Sequence, residues 1–249
     1  VANDPMKQFE IKEVAELFQI GGQTISWTNS AFWMVVSAIL IVGFFALTTK
    51  RKLVPGKMQS LGELSYEFIA NMVKDTTGAE AMKFMPFVFT LFFFILAANL
   101  IGMNPYAFTT TSHVAVTAAL AVFTIGVVIV AGIWKNGFKW FKIFAPSGLP
   151  FIMYFIIIPI EIISFISRPI TLAVRLFANM VAGHVMLKLF AIFAAYLAAK
   201  GGIIAVGAIV PMFATVALVA LEFLVAGLQA FVFAILTCVY LNDVYHVDH

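Results

Sequence analysis

The sequence predicts an all-α integral membrane protein. It has about five transmembrane helices plus an interfacial amphipathic helix, and the last two spans are long, steeply tilted and folded back as a hairpin. Three observations predict this. Of 249 residues, 63% are hydrophobic and 11% charged, where a soluble domain carries about a quarter charged residues. The mean hydropathy is +1.03, and the length accommodates roughly five or six spans of about 20 residues with their loops. Finally, residues 150–199 and 201–241 are almost unbroken apolar runs. At about 1.5 Å per residue they would be about 75 and 60 Å long, against a hydrocarbon core near 30 Å, so neither stands upright in a bilayer.

The whole chain reads as a single membrane domain. Residues 1–29 form an acidic outer segment that does not read as a signal peptide, and Pro5 to Phe18 are expected to form a short amphipathic surface helix. The first span and its exit occupy 30–52. Lys50-Arg51-Lys52 closes it, and such a basic cluster marks the cytoplasmic side, so the N-terminus lies outside. In residues 53–83, Lys57, Glu63, Glu67, Lys74 and Asp75 interleave with Leu61, Leu64, Phe68, Ile69 and Met72. That spacing suits an amphipathic helix lying at the cytoplasmic interface.

A two-span hairpin fills 84–134. Its spans run from about Phe84 to Gly102 and from about His113 to Trp134, joined by a turn at Asn104-Pro105-Tyr106 and Thr109-Thr110-Thr111-Ser112. Lys135, Lys139 and Lys142 among Trp134, Trp140 and Phe141 make a second cytoplasmic edge, and Ala145 to Pro150 is a loop. Residues 150–241 form the long tilted hairpin, turning at Ala199-Lys200-Gly201-Gly202, and 242–249 are a cytoplasmic tail. The stretch 150–199 is either one long bent helix or two spans broken at Arg168-Pro169. The missing polar turn favours the bent helix. The placement of basic residues favours five spans over six.

Polar residues inside these runs carry the chemistry. Charged groups in a span are costly, so they tend to be functional and to face protein or water. Glu161, Arg168 and Arg175 recur every seven residues and Asn179 follows one turn later, giving one polar stripe. His184 points to the opposite side of the same helix. In the last span Glu222, Gln229 and Tyr240 share a face, with Asp243 near it at the cytoplasmic end. An antiparallel hairpin can set the two stripes against each other, with His184 and Glu222 toward the outer half, Arg175 and Gln229 at mid-depth, and Glu161 and Asp243 toward the cytoplasm. Histidine titrates near neutral pH, so His184 and Glu222 can relay protons. A permanently charged Arg175 repels a proton wire and can pair with a carboxylate on another chain.

Plainer readings stand beside these. Arg168 fits a snorkelling side chain or a cap before Pro169, and Lys188 fits snorkelling. His113, Asn99 and Asn104 fit helix ends, and Glu161 alone fits a helix-pairing group. Cys238 is the only cysteine, which excludes an internal disulfide. No metal, nucleotide or haem motif occurs in the sequence.

The run Arg175-Leu176-Phe177-Ala178-Asn179-Met180-Val181-Ala182-Gly183-His184, with Ser167-Arg168-Pro169 before it and Gln229-Ala230-Phe231-Val232-Phe233 after it, resembles the a subunit (subunit 6) of F-type ATP synthases. The likeness is to the mitochondrial and alphaproteobacterial branch. It implies a non-catalytic, proton-conducting stator subunit of the CF(0) sector, with the long hairpin lying against a ring of c subunits. Residue by residue, it implies that Arg175 is the essential ring-facing arginine and Gln229 its companion. Asn179, His184 and Glu222 would line the inlet half-channel, and Glu161 and Asp243 the outlet. Arg168, Tyr240 and Asn99 are further possible path residues.

Many bacterial members carry Glu where this chain has His184 and His where it has Glu222, an exchange expected of two positions that meet in space. The acidic residue that many bacterial members carry near the end of the second span is absent, and Gly102 or Asn99 occupies that region. Implied partners are the c-subunit ring, b-type peripheral stalk subunits, the lipid bilayer and H⁺, with no cofactor, metal or nucleic acid. The implied location is a bacterial plasma (inner) membrane, with the mitochondrial inner membrane as the alternative. A competing class is a self-contained proton-coupled transporter. That class predicts an internal repeat around a mid-membrane substrate site, and no repeat is found.

Overall fold

The computed structural model describes residues 10–11, 13–20, 23–49, 56–104, 107–144 and 151–245. Near the N-terminus, strands β1 (Glu13–Ile20) and β2 (Gln23–Thr28) pair antiparallel, with register shifts between Glu13 and Ala15 and between Glu16 and Phe18. This corrects the expected surface helix over Pro5 to Phe18. Its described C-terminal part is a strand; Pro5 to Phe9 and Lys12 lie outside the described residues. Two runs rich in β-branched and aromatic residues, divided by Gly21-Gly22, carry a hairpin signal that outweighs a short helical pattern.

The helices that follow are α1 (Asn29–Thr48), α2 (Lys57–Thr77), α3 (Met85–Gly102), α4 (Val114–Asn136), α5 (Phe151–Ala199), α6 (Gly202–Val206) and α7 (Ile209–Tyr245). Short 3₁₀ turns cover Ala79–Phe84, Thr110–Ser112 and Gly137–Phe144. Among the described residues, five helices are long and apolar enough to cross a membrane, the last two being α5 and α7. The first four spans begin and end within two residues of the sequence-based bounds. The last run, expected over 201–241, is instead split into the short α6 and α7, which begins at Ile209 and continues to Tyr245 through part of the expected tail. Residues 246–249, the Lys50–Lys52 cluster, the Pro105-Tyr106 turn and the 145–150 loop lie outside the described residues.

Helix α5 is one continuous helix of 49 residues, with Pro159 and Pro169 inside it. A proline removes one ladder donor and crowds the carbonyl four residues back. Around Pro169, side-chain hydroxyls bond to nearby carbonyls. Ser167 Oγ donates to Ser164 O at 2.7 Å, and Thr171 Oγ1 donates to Ser167 O and Arg168 O at 3.0 and 2.9 Å. The carbonyl that Pro169 leaves without its ladder donor is that of Phe165, and none of these three bonds goes to it. Between α5 and α7 the chain turns at Gly201 (φ +69°) and Gly202 (φ +59°), left-handed conformations that side-chain-bearing residues rarely adopt.

The chain divides into two compact units. The first gathers the described parts of Val1–Leu40, Ile95–His113 and Leu176–Gln229; the second those of Ile41–Phe94, Val114–Arg175 and Ala230–His249.

In the second unit α2 is amphipathic, with Ile69, Met72 and Val73 buried. It ends at Gly78, whose φ of +80° favours glycine. Gly62 of α2 lies so close to Thr48 of α1 that an added Cβ would stand 2.8 Å from its hydroxyl. Phe45 of α1 packs on Phe89 and Phe93 of α3 with ring centroids 4.9 Å apart. Also here, Lys135 of α4 pairs with Glu80 at 2.6 Å, and Asn136 Nδ2 donates to Val244 O at 2.6 Å, tying α4 to the end of α7.

In the first unit the end of α5 and the start of α7 run antiparallel, with buried Leu176, Met180 and Ala226 between polar contacts. The segment 107–113 closes over them, and Phe108 and Thr109 to Ser112 are buried.

Candidate functional site

Glu222 and Gln229 are seven residues apart on α7, so they fall about 20° apart on one face. Both are buried in the first unit, at 6% and 4% exposure. Each meets a polar residue of α5. Asn179 Nδ2 donates to Gln229 Oε1 at 3.0 Å. His184 Nε2 lies 3.7 Å from Glu222 Oε1. Five residues forward along α5 are therefore matched by seven backward along α7, as an antiparallel pair requires. Neither Glu222 oxygen has a hydrogen-bond partner among the described residues, nor does Gln229 Nε2.

Gly183 makes room for this chemistry. An added Cβ at Gly183 would stand 2.7 Å from Glu222 Oε1 and 3.1 Å from Cδ, so the carboxyl lies directly over Gly183. Beside it is a cleft of about 220 Å³ lined by Asn179, Gly183, Met186, Leu221 and Glu222 among others. At about 30 Å³ per water, such a cleft has room for several waters.

Asn99 of α3, fully buried, donates from Nδ2 to Ala226 O at 3.4 Å, on the turn of α7 between Glu222 and Gln229. Its Oδ1 has no partner among the described residues. Where the sequence shows no acid near Gly102, the structure has a hydroxyl. Thr109 Oγ1 donates to Gly102 O at 2.9 Å and lies 3.1 Å from His184 Nε2. Sequence reasoning missed Thr109 as a site residue. The TTTS run read only as a turn, and nothing in its spacing points toward a histidine 75 residues on.

In the second unit Arg168 Nη1 donates to Asp243 Oδ2 at 2.9 Å. The guanidinium also lies 4.8 Å from the centre of the Tyr240 ring and 5.8 Å from that of Phe165. Arg168 is thus neither a free snorkelling side chain nor a cap on a broken helix, because α5 does not break at Pro169. Cation and ring attract each other through the ring quadrupole. Tyr240 and Asp243 are three residues apart on α7, within reach of one guanidinium.

Arg175 lies near enough to Tyr240 to act on it through charge, but is not bonded to it. It is exposed on the face of α5, and it has no hydrogen-bond or ion-pair partner among the described residues. Glu161 is half-exposed and also without such a partner among the described residues. The arrangement therefore supplies an imidazole–carboxylate pair beside a cleft with room for several waters, a separate arginine–carboxylate pair, and, in Arg175, a cation on an apolar helix face with no hydrogen-bond or ion-pair partner among the described residues. No group of three or more His, Cys, Asp or Glu that could hold a metal occurs among the described residues.

The chain matches the family described as ATP synthase A chain over residues 31–242. It is 57% identical to ATP synthase subunit a of Hyphomonas neptunium over 249 residues, covering 100% of this chain and 98% of the relative. It is 52% identical to ATP synthase subunit a of Mesorhizobium japonicum over 247 residues (99% and 98%). It is likewise 52% identical to that of Chelativorans sp. over 250 residues, with both chains fully covered.

Proposed function

The chain belongs to the ATP synthase A chain family, and we propose that it builds two offset proton half-channels against a ring of c subunits, with Arg175 as the charge barrier between them. As a family member it is a membrane-sector, proton-translocating component of ATP synthase. Its apolar spans and its alphaproteobacterial relatives fit a multi-pass protein of a bacterial inner membrane.

The observation that carries this reading is the exposure of Arg175, a cation on an apolar helix with no partner among the described residues. An arginine in that setting needs an anion from outside the chain, and a ring carboxylate supplies one. Gln229, its companion in this reading, holds Asn179 by a hydrogen bond at 3.0 Å.

In this account a proton arrives from outside, passes His184 and Glu222, and neutralises a ring carboxyl. The neutral carboxyl can turn through lipid; the ionised form cannot, because an unpaired charge there costs several kcal/mol. After nearly a full turn Arg175 favours release of the proton. It leaves past Glu161 and Asp243, the latter held beside Arg168 and Tyr240. Each charge crossing 100 mV delivers about 2.3 kcal/mol, and the ring converts that into rotation. The length of α5 suits a helix lying across several ring helices. Peripheral stalk subunits of the b type would hold the chain still.

Proton flux separates this reading from a self-contained transporter. Vesicles with the complete membrane sector should conduct protons under an imposed potential, and vesicles with the sector lacking its ring should not. Equal flux in both would favour the transporter.

A further inference from the structure

We propose that Thr109 is a positioning residue for proton uptake, holding His184 in the tautomer that carries its proton on Nε2, the nitrogen 3.7 Å from Glu222 Oε1. This rests on the reading of His184 and Glu222 as the inlet pair. A threonine hydroxyl has one hydrogen to give and lone pairs to receive with. Thr109 Oγ1 gives its hydrogen to Gly102 O at 2.9 Å. Toward His184 Nε2, at 3.1 Å, the same oxygen can then only accept. With the hydroxyl hydrogen committed to Gly102 O, Nε2 is the donor of this contact.

The hydroxyl is fixed in place. Thr109 is 5% exposed. Its own carbonyl accepts from Ser112 Oγ at 2.6 Å and from Ser112 N at 3.1 Å. An added Cβ at Gly102 would stand 2.7 Å from Thr109 Cγ2, so glycine at 102 is what admits the side chain. Glu222 on α7 and Lys188 on its own helix are charged or titratable groups that face His184. The Thr109 segment also bears His113, whose ring stacks on Phe108 at 5.1 Å.

This fixes the direction of the relay. A proton added at Nδ1 makes the imidazolium, and the Nε2 proton then passes to Glu222 Oε1. The 3.7 Å gap is closed by a small approach or by a water in the adjoining cleft. One proton enters the ring and one leaves. The ring is left with its hydrogen on Nδ1, and Thr109 cannot bond that form without giving up Gly102 O. The bond therefore favours return to the starting tautomer.

The test is ATP-driven proton pumping by the whole complex in inverted membrane vesicles, with Thr109→Val, Thr109→Ser, His184→Ala and the Thr109→Val/His184→Ala double variant. A lost hydrogen bond of ordinary strength predicts a drop of about two- to tenfold for Thr109→Val. Thr109→Ser should restore most of the rate, and the double variant should be no slower than His184→Ala alone. Should Thr109→Val impair assembly, the smaller Thr109→Ala carries the same comparison. A normal rate in Thr109→Val beside a slow His184→Ala overturns the Thr109 role and leaves the inlet pair standing. So does a double variant slower than His184→Ala by the full Thr109 factor. Normal pumping by His184→Ala removes the inlet reading itself, and this inference with it.

Discussion

The Glu222 carboxyl lies where a side chain at position 183 would have to begin: a Cβ on Gly183 would sit 2.7 Å from Oε1. At this point of the hairpin α5 contributes no side chain, and the Glu222 carboxyl takes the space. This gap lets a buried carboxylate reach within 3.7 Å of His184.

Gly183→Ala should therefore push Glu222 aside and lengthen its distance to His184. Misplacing a reacting group by about 1 Å can cost up to two orders of magnitude in rate. The expected result is a fall of about tenfold or more in ATP-driven acidification, with the complex still assembled as judged by immunoblot of purified membranes. An unchanged rate would mean that Glu222 need not occupy the position seen here.

Arg168 and Asp243 should behave as a coupled pair. The Arg168 side chain is 18% exposed and that of Asp243 37%, so the pair is partly screened. A coupling of about 1 kcal/mol is expected. In a double-mutant cycle of Arg168→Gln and Asp243→Asn, read by the thermal midpoint of the solubilised complex, the double variant should lose less than the two singles combined. Additive losses would show that the contact contributes nothing.

Asn179 and Gln229 should show a different asymmetry. Gln229 Nε2 already lacks a partner among the described residues, and Asn179→Leu alone would orphan Oε1 as well. That single change should cost about 1–3 kcal/mol of stability, whereas replacing both by Leu should cost less. Thermal unfolding of the two variants beside the unsubstituted complex checks the order. A double variant less stable than Asn179→Leu would contradict the assignment.

Most of the architecture was legible because a bilayer permits few solutions: apolar length, basic exits and two overlong runs define the spans. Period-seven spacing likewise exposed Glu222 and Gln229, since residues so spaced share a helix face. The β-hairpin over Glu13–Ile20 and Gln23–Thr28 was not foreseen. A short run can be read at either period, and only pairing decides. Arg168 was ambiguous because sequence gives its position on α5 but not which residue of α7 faces it. Thr109 was invisible for a related reason. Its role depends on where one hydroxyl hydrogen goes, and that is set by a turn folding back onto Gly102.

Arg175 remains the residue on which the account depends. The most direct measurement is ATP-driven proton pumping in vesicles carrying Arg175→Ala, with assembly of the complex verified. Coupled pumping should be lost while the complex still assembles, because nothing then separates the two half-channels. Normal pumping would contradict it, and the polar stripe of α5 would have to be read as a helix-pairing surface.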